Sequence, residues 1–279
     1  MSQALRADQA LVARGLAASR TAAQRLIDAA RVYYAGTETA VKKASEVVAS
    51  DEDLEVRAAA DGLPGEDRYV SRGGLKLAGA LAQTRLDVTG RVALDVGLST
   101  GGFADCLLQA GAARGVGVDV GHGQLHRRLA REPRLVSLEG INARHLSRET
   151  LDARLAQQAA EGGAQGEPAS TMAAVPEAGF DLIVGDVSFI SLTLVLPAVA
   201  PLLGATGDLL MLVKPQFEVG REHIGRGGLV RDAAQYAQVE TKIRAACETL
   251  GLTVAAWLDS PIAGGDGNRE FFVHATRAA

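Results

Sequence analysis

The sequence predicts an α/β protein, a doubly wound and mostly parallel sheet of seven strands preceded by a small α+β module. Three observations carry this. Short apolar runs bounded by turn residues recur from Arg91 to Ala275, and helical patterns lie between most of them. Several of those runs end in a charged residue, at the end of the strand where open sheets bind ligands. The first sixty residues differ, with two short helical patterns followed by β-prone pieces.

At 279 residues the chain has room for one large domain and one small one. We place the module at 1–60, a linker at 61–68 and the large domain at 69–279. A composition of 47% hydrophobic and 22% charged residues is that of an ordinary globular protein. The formal net charge of −4 gives no global basic signature, so any nucleic-acid binding needs charge segregated onto one face. The N-terminus lacks an apolar signal core and no apolar run is long enough to span a bilayer, so a cytoplasmic location is expected. Cys106 and Cys247, each in a helical apolar pattern, read as reduced core thiols. The histidines lack ligand spacing, and no metal site is expected.

In the module, Asp8 to Arg14 has helical spacing and stops at Gly15. Ser19 is a plausible N-cap for a second helix that puts Ala22, Leu26, Ile27 and Ala30 on one face. Val32 to Tyr34, Glu46 to Val48 and Leu54 to Val56 are β-prone, with a turn at Ala35-Gly36. Arg6 to Ser45 is locally basic, carrying Arg6, Arg14, Arg20, Arg25, Arg31, Lys42 and Lys43 against Asp8, Asp28 and Glu38. This segment resembles the small RNA-binding module named after ribosomal small-subunit protein four. The matching residues are Leu11, Arg14-Gly-Leu16, Ser19-Arg20 and Val32 to Gly36, while Ala30 and Ala35 stand where that family usually has glycine and asparagine. The resemblance implies RNA contacts from Arg6, Arg14, Ser19, Arg20, Arg25, Lys42 and Lys43. The alanine-, glycine- and proline-rich stretch after Glu55 reads as a linker.

The large domain opens with Tyr69-Val-Ser-Arg-Gly-Gly-Leu-Lys-Leu77, where Gly73 and Gly74 start a helix and Lys76 lies in its first turn. A lysine there opposes the helix dipole, which marks a solvated cation or a polar site facing a reacting group. A strand from Arg91 to Asp95 then meets the turn Asp95-Val-Gly-Leu-Ser-Thr-Gly-Gly-Phe103, which opens a helix. Strand, glycine-rich turn and helix N-terminus in that order make a cofactor site. Further strands are Gly115 to Val120, with Asp119, then Arg134 to Leu138, followed by Asn142. Phe180 to Asp186 ends in an acid and Asp208 to Lys214 in a lysine, and Thr253 to Leu258 and Glu270 to Ala275 form an antiparallel pair. Ala156 to Gly179 has little β character and is read as a flexible surface insertion without chemistry. The loop from Pro215 to Arg231 carries Arg221, His223, Arg226 and Arg231, and suits a bulky anionic substrate.

Three familiar ligand motifs compete for the glycine turn. A phosphate-binding P-loop needs a lysine after the second glycine, and none follows Gly101 or Gly102. A dinucleotide fingerprint needs glycine where Ser99 stands. Gly97-Leu-Ser-Thr-Gly101 also fits a nucleophile elbow, whose triad Ser99, Asp186 and His223 or His274 would complete; that serine-hydrolase reading stays open, weakened by the turn's place on the sheet's first strand. An S-adenosylmethionine site explains more. Asp95 and Gly97 suit a ligand with no phosphate to cradle, and Asp119 suits its ribose hydroxyls.

With the motifs further along, the chain resembles the FtsJ-like 2′-O-methyltransferases, and more closely the TlyA family of ribosomal RNA cytidine 2′-O-methyltransferases, also known as haemolysin A. The motifs are Y-V-S-R-G-G-L-K-L, D-x-G-x-S-T-G-G-F, D-V-G-x-G-Q-L at Asp119 to Leu125, D-x-S-F-I-S-L at Asp186 to Leu192, L-V-K-P-Q-F-E-V-G at Leu212 to Gly220 and G-N-x-E-F/Y-F at Gly267 to Phe272. Departures are the 156–179 stretch and Leu98 where a small residue is commoner. The resemblance implies a Rossmann-like domain using S-adenosylmethionine. It implies cofactor contacts from Asp95, Gly97, Ser99, Thr100, Gly101, Gly102, Phe103, Asp119, Asn142 and Asp186. It also implies a catalytic tetrad of Lys76, Asp186, Lys214 and Glu270, in which Lys214 takes the hydroxyl proton, Lys76 stabilises the oxyanion and the two acids orient the lysines. The expected partner is ribosomal RNA in a subunit or pre-subunit, gripped by the module together with Arg72, Arg221 and Arg226. A non-catalytic ribosome-assembly factor is the rival, and membrane lysis lacks an amphipathic basic helix to support it.

Overall fold

The computed structural model describes residues 4–17, 20–28, 30–49, 51–57, 68–164, 172–265 and 267–278. They form two compact units, Met1–Tyr69 and Val70–Ala279.

In the first unit, α1 (Ala7–Ala13) and α2 (Arg20–Asp28) pack through Ala7, Ala10, Leu11, Ala23, Leu26 and Ile27, all buried. Two short antiparallel pairs close the core: β1 (Leu5–Arg6) with β3 (Val47–Val48), and β2 (Val32–Tyr34) with β4 (Leu54–Val56). Ala30, standing where the resembling family has glycine, is forced to φ +52°, a conformation costly for a residue with a Cβ. Ser19, the side chain of Arg25 and residues 61–67 of the expected linker lie outside the described residues.

The second unit is a seven-stranded sheet. Its strands are β5 (Val92–Val96), β6 (Arg114–Asp119), β7 (Leu135–Glu139), β8 (Phe180–Gly185), β9 (Leu203–Val213), β10 (Leu252–Asp259) and β11 (Phe271–Arg277). They lie in the order β10-β11-β9-β8-β5-β6-β7. Strands β7 to β9 in that order run parallel, and β11 enters antiparallel between β9 and β10. Helices α3 (Gly73–Thr84), α4 (Gly102–Gln109), α5 (Arg148–Ala164), α6 (Leu192–Val199) and α7 (Ala234–Thr249) accompany them. Leu94, Val96, Val116, Val118, Leu182 and Ile183 are buried, as central parallel strands covered on both faces require. The chain begins in the middle at β5, winds outward to β7 and returns on the other side at β8. That reversal opens a crevice at the carboxyl ends of β5, β6 and β8.

Two expectations need correction. Residues 156–164 continue α5 instead of forming an irregular insertion, and past residues 165–171, which are not described, Met172 and Val175 are buried in the core. Alanine and glutamine favour helix, so weak β character there meant helix, not loop. The fifth strand of the sheet, β9, starts at Leu203, five residues before the expected Asp208.

Candidate active site

The glycine turn is held by backbone contacts that tolerate no side chain. Gly97 has φ +87°, and a Cβ there would lie 2.8 Å from the Asp186 carbonyl oxygen. Gly101 has φ +90°, and a Cβ on Gly102 would lie 2.2 Å from Ser71 Oγ and 3.0 Å from the Gly74 nitrogen. The N-termini of α3 and α4 therefore meet backbone to backbone, which is why Gly73-Gly74 and Gly101-Gly102 both start helices. Asp95 is buried beneath the turn and accepts from the Ala104 nitrogen at 3.0 Å through Oδ2, leaving Oδ1 without a hydrogen-bond partner. Burial pushes its carboxyl up to about 8, and the negative charges of Asp186 and Asp119 add to the shift. Asp119 accepts from the Ser99 nitrogen at 2.8 Å and the Gly121 nitrogen at 2.7 Å, so the carboxylate fixes the turn.

Two cavities share Gly97, Ser99, Asp186 and Ser188. The larger, about 520 Å³, is lined further by Asp119, Gln124, Asn142 and Phe189. The smaller, about 170 Å³, runs past Ser71, Thr100, Gly102 and Phe103 to Lys214. Among the described residues no lysine or arginine lines the larger one, while Asp119 and Asp186 do. Such a lining suits a cationic nucleoside and gives a pyrophosphate nothing to pair with. The residues present therefore fit S-adenosylmethionine. Asn142 lines the larger cavity while its side chain accepts from the Arg144 nitrogen at 3.0 Å. Asp95 and Gly101 line neither cavity; they shape the turn from behind.

The four tetrad residues resolve into two ion pairs. Lys214 Nζ lies 2.5 Å from Asp186 Oδ1 and donates to Ser188 Oγ at 2.7 Å, on the cavity wall. Lys76 Nζ donates to Glu270 Oε2 at 2.5 Å, with Lys76 only 7% and Glu270 3% exposed. Burial raises the Glu270 carboxyl, the charges of Lys76 and Lys214 act against that, and Asp186 adds to it. The two pairs thus feel one another, with Lys76–Glu270 set behind the cavity lining.

The nucleophile-elbow reading fails. Ser99 Oγ donates to Gln124 Oε1 at 3.1 Å, and His274 Nε2 sits 2.6 Å from Asp208 Oδ1, itself ion-paired with Arg91. Among the described residues, His223 has only Glu222 as an ionic neighbour. Among the described residues no cluster suits a metal ion, and no helix is long and apolar enough to cross a membrane.

Residues 69–277 match the model of the FtsJ-like methyltransferases. The chain belongs to that family. The 16S/23S rRNA (cytidine-2′-O)-methyltransferase TlyA of Mycobacterium tuberculosis is 39% identical over 273 residues, covering 98% of this chain and 90% of the relative. Hemolysin A of Brachyspira hyodysenteriae is 31% identical over 270 residues, covering 97% and 99%. A solved structure provisionally described as a hemolysin, from Streptococcus thermophilus, superposes with a TM-score of 0.66 at 35% identity, covering 99% of this chain and 89% of that one. The FtsJ-like assignment accounts for the sheet order and for the cofactor crevice at the β5–β8 reversal.

The expected RNA-contact residues are placed unevenly. Arg14 is spent inside its own unit, donating to the Glu52 and Ala49 carbonyl oxygens. Arg6 and Arg20 both pair with the buried Asp8, holding its carboxyl down at about 2. Lys42 and Lys43 are exposed. Arg72 donates to the Ala263 carbonyl oxygen at 3.2 Å beside the α3 N-terminus. Arg221 and Arg226 are exposed on a loop that is folded, not open: Ile224 bridges Val230, and Asn268 clasps both Val230 N and Gly228 O.

Sequence reasoning missed Ser188, Gln124 and Glu218. Buried Glu218 accepts from the Leu192 nitrogen, Ser191 Oγ and Lys242 Nζ at 2.6 to 2.9 Å. It ties the segment after Lys214 to the segment after Asp186. Its place inside a motif was the available signal.

Proposed function

We propose that this FtsJ-like protein transfers a methyl group to a ribose 2′-hydroxyl, on a cytidine of ribosomal RNA within a folded subunit or pre-subunit. The observation that carries the reading is the Lys214–Asp186 ion pair on the wall of a cavity suited to a cationic nucleoside. S-adenosylmethionine supplies the electrophilic methyl group when bound. Asp119 and Asn142 hold the nucleoside end, and Gly97, Thr100, Gly102 and Phe103 shape the narrow end near Lys214. Lys214 takes the proton of the 2′-hydroxyl and Asp186 orients it. Lys76, held by Glu270, stabilises the developing oxyanion from behind the cavity lining.

Phe189 supports a nucleotide substrate. It is 90% exposed on the lip of the larger cavity, at φ +62°, with its ring 5.2 Å from Phe217. A strained, solvent-facing aromatic beside a reaction site offers a face on which a base can stack. The locally basic Arg6–Ser45 segment of the first unit, with its resemblance to the module of ribosomal small-subunit protein four, serves as the grip on structured RNA through Lys42 and Lys43. A negative net charge keeps non-specific RNA affinity low, which favours a folded subunit over a naked strand.

Mapping 2′-O-methylation across ribosomal RNA from cells with and without this protein tests the reading. A cytidine methylated only when the protein is present is the expected result. An unchanged map, with ribosome binding retained after all four tetrad residues are replaced, would make the protein an assembly factor.

A further inference from the structure

The loop from Gly121 to Arg134, between β6 and β7, carries His122, His126, Arg127, Arg128, Arg131 and Arg134 against one acid, Glu132. In a chain of formal net charge −4, that is charge concentrated in fourteen residues. The loop is fastened to the cofactor turn. A Cβ on Gly101 would lie 2.3 Å from Leu129 Cδ1 and 3.0 Å from Leu125 Cδ1, and the His126 nitrogen donates to the Thr100 carbonyl oxygen at 3.2 Å. Gln124 receives the Ser99 hydroxyl.

Two of its arginines are engaged inside the unit. Arg128 pairs with Asp105 and Arg134 with Glu132. Arg127 and Arg131 are exposed, and neither has an ion pair or hydrogen bond among the described residues. They belong to a loop whose Gln124 lines the larger cavity and whose His126 nitrogen bonds the Thr100 carbonyl oxygen of the cofactor turn. Guanidinium groups stay charged at every working pH and match phosphate oxygens in a two-pronged fashion.

We infer that the Gly121–Arg134 loop is a second RNA-binding surface, on which Arg127 and Arg131 neutralise backbone phosphates flanking the target nucleotide. The inference rests on the ribosomal RNA reading above. It commits to nucleic acid because the strand that presents the ribose at the crevice carries phosphates on both sides of it.

The test compares the full-length wild-type protein with R127A/R131A and the charge-keeping R127K/R131K. Binding to ribosomal subunits and to protein-free ribosomal RNA is measured across a salt series, with S-adenosylmethionine binding as the check on fold. For R127A/R131A, losing two phosphate contacts makes the slope of log affinity against log salt shallower by about 1.5, and lowers affinity at physiological salt roughly tenfold. R127K/R131K keeps most of the slope, cofactor affinity is unchanged in both, and methylation by R127A/R131A recovers at high subunit concentration. An R127A/R131A slope and affinity equal to wild type would overturn the inference. So would weakened subunit binding with unchanged binding to protein-free RNA, which would assign the loop to a protein. Wild-type methylation, measured alongside, reports separately on the function itself.

Discussion

Lys214 stands at the end of β9 where its nitrogen meets Asp186 and Ser188. Replacing it by alanine removes the proposed proton acceptor but touches none of the larger cavity, so turnover is expected to fall by about a thousandfold or more. Calorimetric S-adenosylmethionine affinity stays near wild type. Replacing Phe189 by alanine raises the KM for subunits several-fold and leaves the melting temperature unchanged. Asp95 makes a prediction of opposite sign to the usual carboxylate. Its folded pKa of about 8 lies above the unfolded value of 3.8, so between those values the folded state holds a proton that the unfolded state has released. Its contribution therefore falls as pH rises from about 4 to 8. Asp95→Asn should show a melting temperature that gains on wild type over that range; parallel curves would mean that Asp95 is ionised in the fold. Lys214, Asp186 and Asp119 were legible because charged residues at strand ends have one place to go in an open sheet. Ser188, Gln124 and Glu218 were not, because their roles depend on which loops meet.

At the scale of elements, the two glycine pairs decide the geometry of the site. Ala in place of Gly102 would put a Cβ against Ser71 Oγ and the Gly74 backbone, forcing α3 and α4 apart. Backbone cannot yield as a flexible side chain does, so we expect a lower melting temperature and at least tenfold weaker cofactor binding together. A change in only one of these would separate the helix contact from the cavity. The seven strands were readable from apolar runs, and the antiparallel final pair from its glycine-rich turn. The position of β11 between β9 and β10 was not, because strand order comes from long-range pairing that no local pattern specifies. Residues 156–164 misled for a related reason: a polar, alanine-rich helix on the surface has weak periodicity to announce it.

At the scale of the whole molecule, the two units report separately. Asp8 in the first has a folded pKa near 2, below the unfolded 3.8, so its pairing with Arg6 and Arg20 stabilises above about pH 4 and is lost as pH falls toward 2. Acid unfolding followed by NMR should show residues of α1 and α2 losing their native signals in that window, and Asp8→Asn should remove this dependence. Replacing Ala30 by glycine relieves the positive φ and should stabilise the same unit by about 1 kcal/mol. The proposed activity is methylation of a ribose hydroxyl of ribosomal RNA, with Lys214 as the proton acceptor. Its most direct test incubates purified wild-type protein and K214A with methyl-labelled S-adenosylmethionine and subunits lacking the modification, then digests the RNA to nucleosides. Label in 2′-O-methylcytidine with wild type and none with K214A is the expected result. Label on a base, or equal label from both proteins, would contradict it.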